Sequence, residues 1–431
     1  MTREFQVQGV PVSELARRYD TPLFVYDGTV LRDRFHGLRD RLHPAMEIFY
    51  SLKANPNISI CALLHSFGAR AEVSSLVELT TALRAGVPPQ NVIFLGPGKS
   101  RQELAACLDT GIYAVVCESI PEVALVDELA RERGVKAPVA LRVNPCFAVK
   151  RSGLAMGGKP RQFGIDEEEL FSQNDLVKRF PDVDLMGVQV YMGTRILHES
   201  VIVENTTRIL DLAERLSAAL NLELRMVDVG GGLGVSYFDG ESDLDAQVLT
   251  DGLNPVIEDF VARHPGTRLI MELGRYLTAE AGTYVMGVRY TKTSMGERFA
   301  VADGGTHHHM AAVGIGSFVK RNFPMSVLNR LGELPTEEWN VTGPLCTPGD
   351  TIGRKVPLPP VRPGDLIGVH RSGAYGPTAS PGLFLSHGYP AEVLVHEGRC
   401  HLVRERDSPD DLLQRQRLYD PTAHDAADVP H

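Results

Sequence analysis

The sequence predicts an α/β protein: a (β/α)₈ TIM barrel followed by a smaller all-β domain, built as a sandwich or barrel. Three observations predict it. Between residues 46 and 273 eight short apolar runs alternate with amphipathic stretches of helical length, the pattern of parallel β/α units. Most runs end in polar residues or glycine, as expected where a barrel carries its chemistry. After Arg275 the pattern changes to short strands broken by Gly and Pro.

The eight runs are MEIFYS (46–51), ARAEV (69–73), VIFLG (92–96), IYAVV (112–116), PVALRV (138–143), LMGVQVY (185–191), LRMVDV (224–229) and RLIMEL (268–273). Between them SSLVELTTALRAG (74–86) reads as a helix ended by Gly86, and SIPEVALVDELARERG (119–134) as one opened by Ser119 and Pro121. The later segments TYVMGVRYTK, ERFAVADGG, DLIGVHRSGAY and AEVLVHEGRCHLV read as strands of the β domain, joined by PLFVYD (22–27). The expected divisions are 1–27 with the β domain, 28–278 for the barrel, 279–406 for the β domain, and a loosely held tail, 407–431.

With 431 residues, 43% hydrophobic and 23% charged, the composition suits a soluble enzyme rather than a disordered chain. A net charge of -10 provides no general attraction for nucleic acid or anionic membrane. The start MTREFQVQGV has no secretory features and no apolar run is long enough to span a bilayer, so a cytoplasmic protein is expected. The six cysteines form no CxxC pattern and are expected as thiols.

In order, the predicted strand ends deliver Lys53 and Asn55, Glu72 and Ser74, GPGKS (96–100), Glu118, Arg142 and Asn144, Tyr191, GGGLG (230–234), and Glu272 with Arg275. Taken singly these are weak: a rim lysine can be an ion-pair partner, and GGGLG can mark a tight turn and is not GxGxxG. Together, a lysine for a Schiff base, a glycine cradle with an arginine for phosphate, and a nearby acid are what pyridoxal 5'-phosphate requires.

YSLKAN (50–55), DVGGGLG (228–234) and MELGR (271–275) carry a resemblance to the fold-type III pyridoxal phosphate decarboxylases, the ornithine and diaminopimelate decarboxylase family, whose barrel is alanine racemase-like. The resemblance spans nearly the whole chain. It implies that Lys53 forms the Schiff base, Gly230, Gly231, Gly232 and Arg275 hold phosphate, and Glu272 pairs the pyridine nitrogen. Glu72, Ser74, Arg142, Tyr191 and Gly274 are placed with them in the cofactor set. GPLCTPGD (343–350) resembles the segment whose cysteine enters the neighbouring subunit's site, so Cys346 is implied as proton donor and Asp350 as a substrate contact. SGAYG (372–376) implies that Tyr375 reaches phosphate and substrate across a dimer interface, and hence a homodimer with shared sites.

Departures narrow the substrate. GVQVYMGTR (187–195) puts Tyr191 where the family stacks a histidine and Thr194 where it has a serine. Thr347 and Pro348 follow Cys346, and DGGTHHHMAAVG (303–314) stands where diaminopimelate enzymes have an arginine for the distal carboxylate. Diaminopimelate is therefore not the expected substrate; Thr194 and His308 are placed with the substrate site. Consecutive histidines on a strand alternate faces, so no metal site is expected.

YSLKANPN, GPGKSRQEL, MGGKPRQFGI, VYMGTR, DGGTHHH and GPLCTPGD resemble the butirosin-type branch of the family. That implies α-decarboxylation of an amino acid held through its side-chain carboxylate, glutamyl or aspartyl, as a thioester on an acyl carrier protein in natural-product (antibiotic) assembly. The basic, glycine-rich stretch 150–164 then reads as a lid meeting the phosphopantetheine phosphate or the acidic carrier. The alternatives are a decarboxylase of a free diamino acid or siderophore precursor, an amino acid racemase, and a non-catalytic cofactor-binding protein.

Overall fold

The computed structural model describes residues 3–147, 154–155, 157–313, 321–419 and 421. Strand β1 is Leu23–Asp27. It is followed by β2 (Met46–Ser51), β3 (Arg70–Val73), β4 (Val92–Phe94), β5 (Ala114–Cys117), β6 (Ala137–Asn144), β7 (Val183–Gln189), β8 (Met226–Gly231) and β9 (Arg268–Leu273). Strands β2 to β9 pair in parallel with their sequence neighbours, and β9 pairs back to β2. The eight-stranded barrel is closed.

Two of the eight runs keep their bounds, 46–51 and 268–273, and the other six move by one or two residues at an end. The third run stops at Phe94 because Gly96 turns the chain at φ +107°. The seventh continues into Gly231, whose carbon backbone lies flush against β9.

Alternation along each strand separates two cores. Phe49, Ile93, Leu95, Ala114, Val116, Ala140, Met186, Met226 and Ile270 form one cluster inside the barrel. Their chain neighbours Ile48, Tyr50, Val92, Phe94, Val115, Val139, Leu141, Val227, Leu269 and Met271 pack outward with the helices. Two residues beyond Ala140, Met226 and Ile270 come Arg142, Asp228 and Glu272, so the same alternation directs three polar side chains inward at the strand ends.

The helices begin and end where their caps dictate. Ser75 accepts from Glu78 N–H to open Leu76–Arg84, and Gly86 beyond its end takes φ +93°. Ser119 likewise caps Ile120–Arg133, with Pro121 in the first turn and left-handed Gly134 closing it.

The second domain contains β10 (Gly282–Ser294), β11 (Glu297–Ala302), β12 (Met325–Val327), β13 (Glu337–Thr342), β14 (Thr351–Leu358), β15 (Leu366–Val369), β16 (Ala391–His396) and β17 (Arg399–Arg404). Its mixed sheet runs β14-β13-β11-β10-β1-β16-β17, with β15 joining β10 to β12. Strand β1, N-terminal to the barrel, lies between β10 and β16. Within the tail, Ser408 caps the short helix Pro409–Leu413 and Asp407 accepts from Tyr389 N–H, 2.9 Å. Residue 420 and residues 422–431 lie outside the described residues, as do 150–153 and 156 of the basic stretch. Among the described residues no helix is long and apolar enough to cross a membrane.

Candidate active site

Strand β2 passes into a 3-10 turn, Leu52–Ala54, that lifts Lys53 over the barrel end. Lys53 lines a cavity with Ser51, Tyr191, Thr194, Gly232, Glu272, Gly274, Arg275 and Tyr375. Eight positions singled out in the sequence thus meet in one space: Lys53, Tyr191, Thr194, Gly232, Glu272, Gly274, Arg275 and Tyr375.

The electrostatics are those of an ammonium among acids. Lys53 Nζ stands 2.6 Å from Glu72 Oε2 and 3.8 Å from Glu272 Oε2. Burial works to lower the Lys53 pKa, but the two carboxylates outweigh it and hold the amine protonated above its ordinary range. Burial likewise opposes ionisation of Glu72, and Lys53, Ser51 and Ser74 overcome it, so this carboxyl is held low. Ser74 acts through Glu72, donating to its Oε1 at 3.0 Å. Glu272 is raised by burial and then by the charge of Glu72.

Arg275 has no carboxylate partner among the described residues. Its Nη1 donates to Tyr237 Oη at 3.0 Å, its guanidinium lies 4.5 Å from the Tyr375 ring centroid, and its Nε, closed off from solvent, lacks an acceptor. A cation so placed calls for an anion from outside the chain. With the Lys53 amine and the Glu272 carboxylate across the same cavity, the residues fit pyridoxal phosphate.

The glycine run has a reason beyond a phosphate. A Cβ on Gly231 would sit 1.7 Å from the Glu272 carbonyl oxygen, and one on Gly230, at φ +66°, would meet Tyr191 Cδ2 at 2.8 Å. The strands close only because these side chains are missing.

Several expected residues stand elsewhere. Tyr375 was expected to reach a site across a dimer interface, but it lines the cavity of its own chain, since its N–H donates to Ala54 C=O at 2.7 Å. Asp350, expected at the substrate, is buried, and its carboxylate accepts from Thr306 N–H and Oγ1–H and from Leu345 N–H at 2.8–2.9 Å. It is thereby committed to joining the Cys346 loop to the histidine turn. His308 is buried in the β domain, with Nδ1 against Tyr284 Oη and Nε2 against Gly388 C=O; both nitrogens are engaged away from Lys53. Arg142 pairs with Glu118 at 2.7 Å and stacks on Phe163, outside the cavity lining. Cys346, expected in the neighbouring subunit's site, is exposed and lies outside the cavity of its own chain.

His307, His308 and His309 form a turn rather than a strand, and all three rings are buried. Burial pushes them down to about 4, 3 and 3 respectively, so they are neutral at pH 7. Among the described residues no group of His, Cys, Asp and Glu is arranged to hold a metal ion.

Sequence reading passed over Gln189, Asp228 and Tyr237. Gln189 Nε2 donates to Glu272 Oε1 at 2.8 Å. Asp228 was legible as the inward residue two beyond Met226; nothing local in the sequence ties Tyr237 to Arg275.

Residues 29–279 match the family model described as pyridoxal-dependent decarboxylase, pyridoxal binding domain. Over 94% of this chain and 96% of the relative, the sequence is 38% identical to an L-glutamyl-[BtrI acyl-carrier protein] decarboxylase of Niallia circulans. It is 32% identical to a diaminopimelate decarboxylase of Vibrio cholerae, covering 92% of this chain and 93% of the relative. The fold superposes on the crystal structure of a diaminopimelate decarboxylase of Helicobacter pylori complexed with L-lysine, with a TM-score of 0.84, 28% identity, and 94% and 98% of the two chains covered.

Proposed function

The chain belongs to the pyridoxal-dependent decarboxylases, and from that premise we propose that it decarboxylates an amino acid tethered through its side-chain carboxylate, as a thioester, to an acyl carrier protein. The enzyme is a pyridoxal phosphate-dependent amino acid decarboxylase; the tether is the further step. One observation supports it: Thr306–His309, which stand where diaminopimelate enzymes have an arginine for the distal carboxylate, form a buried turn whose imidazoles are neutral. A free dicarboxylate or diamino acid needs a charged partner at its far end. A thioester needs none. The relative of Niallia circulans, named for a carrier-bound glutamyl substrate, supports the same reading.

Pyridoxal phosphate, when bound, supplies an electron sink for the pair left on Cα as CO₂ departs. In this reading Lys53 holds the cofactor through its amine, Arg275 and the Gly230–Gly232 backbone hold its phosphate, and Glu272 faces the pyridine nitrogen. Tyr191 presents its ring to the cavity, and Tyr375 lies flat on Arg275. Burial pushes the Tyr191 hydroxyl up to about 12, so it stays a neutral donor. Cys346 of a second copy gives its thiol proton to Cα, where the carboxylate was, leaving a primary amine on the carrier. That transfer makes the working unit a homodimer.

Comparison of kcat/KM for glutamyl and aspartyl carrier thioesters with free glutamate, ornithine and lysine tests the proposal. A preference of at least about a hundredfold for one thioester supports it, since a missing partner for a built-in contact costs about that much. Equal or better turnover of a free amino acid refutes it.

A further inference from the structure

Three neighbouring strands place a second carboxyl behind the first. Gln189, Asp228 and Glu272 lie on β7, β8 and β9, with Gln189 opposite Asp228 in register and Gly231 opposite Glu272. Exposure is 0% for Asp228 and 4% for Glu272; Asp228 pairs with Ile270 in register, so Glu272, two residues further along β9, shares its inward face as a diagonal neighbour. Asp228 Oδ1 accepts from Gly230 N–H at 2.8 Å, whereas its Oδ2 has no donor among the described residues.

Two neighbouring buried carboxylates cannot both ionise at ordinary cost, so a proton is shared between them. The surroundings decide which one carries it. Glu272 has the Lys53 ammonium at 3.8 Å and the Gln189 amide donating at 2.8 Å, both favouring its anion. Asp228 makes no ion pair among the described residues, and the other charges facing it are the acids Glu272 and Glu72. Its burial and the Glu272 charge push the same way.

We propose that Asp228 is protonated in the folded protein and is a positioning residue, whose Oδ2–H donates to Glu272 and holds that carboxylate ionised toward the cavity. The functional part rests on the reading that Glu272 faces the pyridine nitrogen; the proton itself does not. A neutral acid used as a donor inside an apolar site has chemical precedent in enzyme active sites. Here the donor sits behind the cavity-lining carboxylate rather than against the ligand.

Infrared spectroscopy of the cofactor-free protein at neutral pH tests the proton. The wild-type minus Asp228→Asn difference spectrum should contain the carbonyl stretch of a protonated carboxylic acid. A difference containing only carboxylate bands overturns the proposal. Pyridoxal phosphate affinity tests the positioning: Asp228→Ala should weaken binding at least about tenfold, the effect of one hydrogen bond to a charged group. Asp228→Asn, whose amide also donates, should rescue most of that loss. Equal loss in both variants overturns the positioning role, and if the alanine variant does not fold, the infrared comparison decides. Failure of the parent reading is distinct: Glu272→Gln would then bind the cofactor as wild type does, with the Asp228 acid band still present in the wild-type protein.

Discussion

Lys53 Nζ lies 2.6 Å from Glu72 Oε2, so the amine at the end of the first barrel strand is held by a carboxylate from the second. This contact orients the amine and keeps it charged until a carbonyl compound enters. Lys53→Ala should abolish the visible absorbance of bound pyridoxal phosphate and lower activity by at least about a hundredfold, the lower range for a positioned acid-base group. Retention of both in the purified variant would contradict the role given to Lys53.

Cys346 and Lys53 should belong to the same site only across two copies of the chain. Lys53→Ala and Cys346→Ala, each nearly inactive alone, should regain about a quarter of wild-type activity when mixed and allowed to exchange subunits, since half the symmetric dimers then carry one intact site. Sedimentation and activity of the mixture check this. No recovery despite exchange would show that the thiol acts within its own chain or not at all.

Gly231 is constrained by β9. Gly231→Ala forces a methyl group to within 1.7 Å of the Glu272 carbonyl oxygen, which backbone cannot yield cheaply. The expected loss is about 3 kcal/mol of stability, measured by denaturant unfolding of the cofactor-free protein. An unchanged midpoint would mean that β8 and β9 are not in this register.

The histidine turn makes the protein acid-sensitive. In the unfolded chain these imidazoles protonate near pH ~6.5, whereas in the fold burial lowers them to about 4, 3 and 3. Below the unfolded value the unfolded state binds more protons, so stability falls as pH drops toward the folded values. At pH ~5 each histidine should cost about 2 kcal/mol. Asp350, His387 and Arg406 also bear on the turn. Thermal melts between neutral and acid pH check the slope, and His309→Asn should flatten it, because His309 is shifted by burial alone.

The barrel was legible because its period-two strands and capped helices are local properties of the chain, down to Ser119 and Gly86. Lys53, Glu272 and Arg275 were legible because strand ends of a barrel converge whatever the loops do. What escaped depends on contacts between distant residues. Asp350 looked available for substrate until Thr306 and Leu345 claimed its oxygens. The histidines, read as strand residues with alternating faces, instead form a buried turn, tied to Tyr284 and Gly388. Tyr375 reaches Arg275 in its own chain because its backbone binds Ala54, over 300 positions earlier in the sequence.

The carrier-bound substrate is tested most directly by the intact mass of glutamyl and aspartyl carrier proteins incubated with the enzyme and pyridoxal phosphate. One of the two should lose the mass of a single CO₂, and the loss should vanish with Lys53→Ala. Unchanged carriers, alongside CO₂ released from a free amino acid in the same mixture, would contradict the proposal.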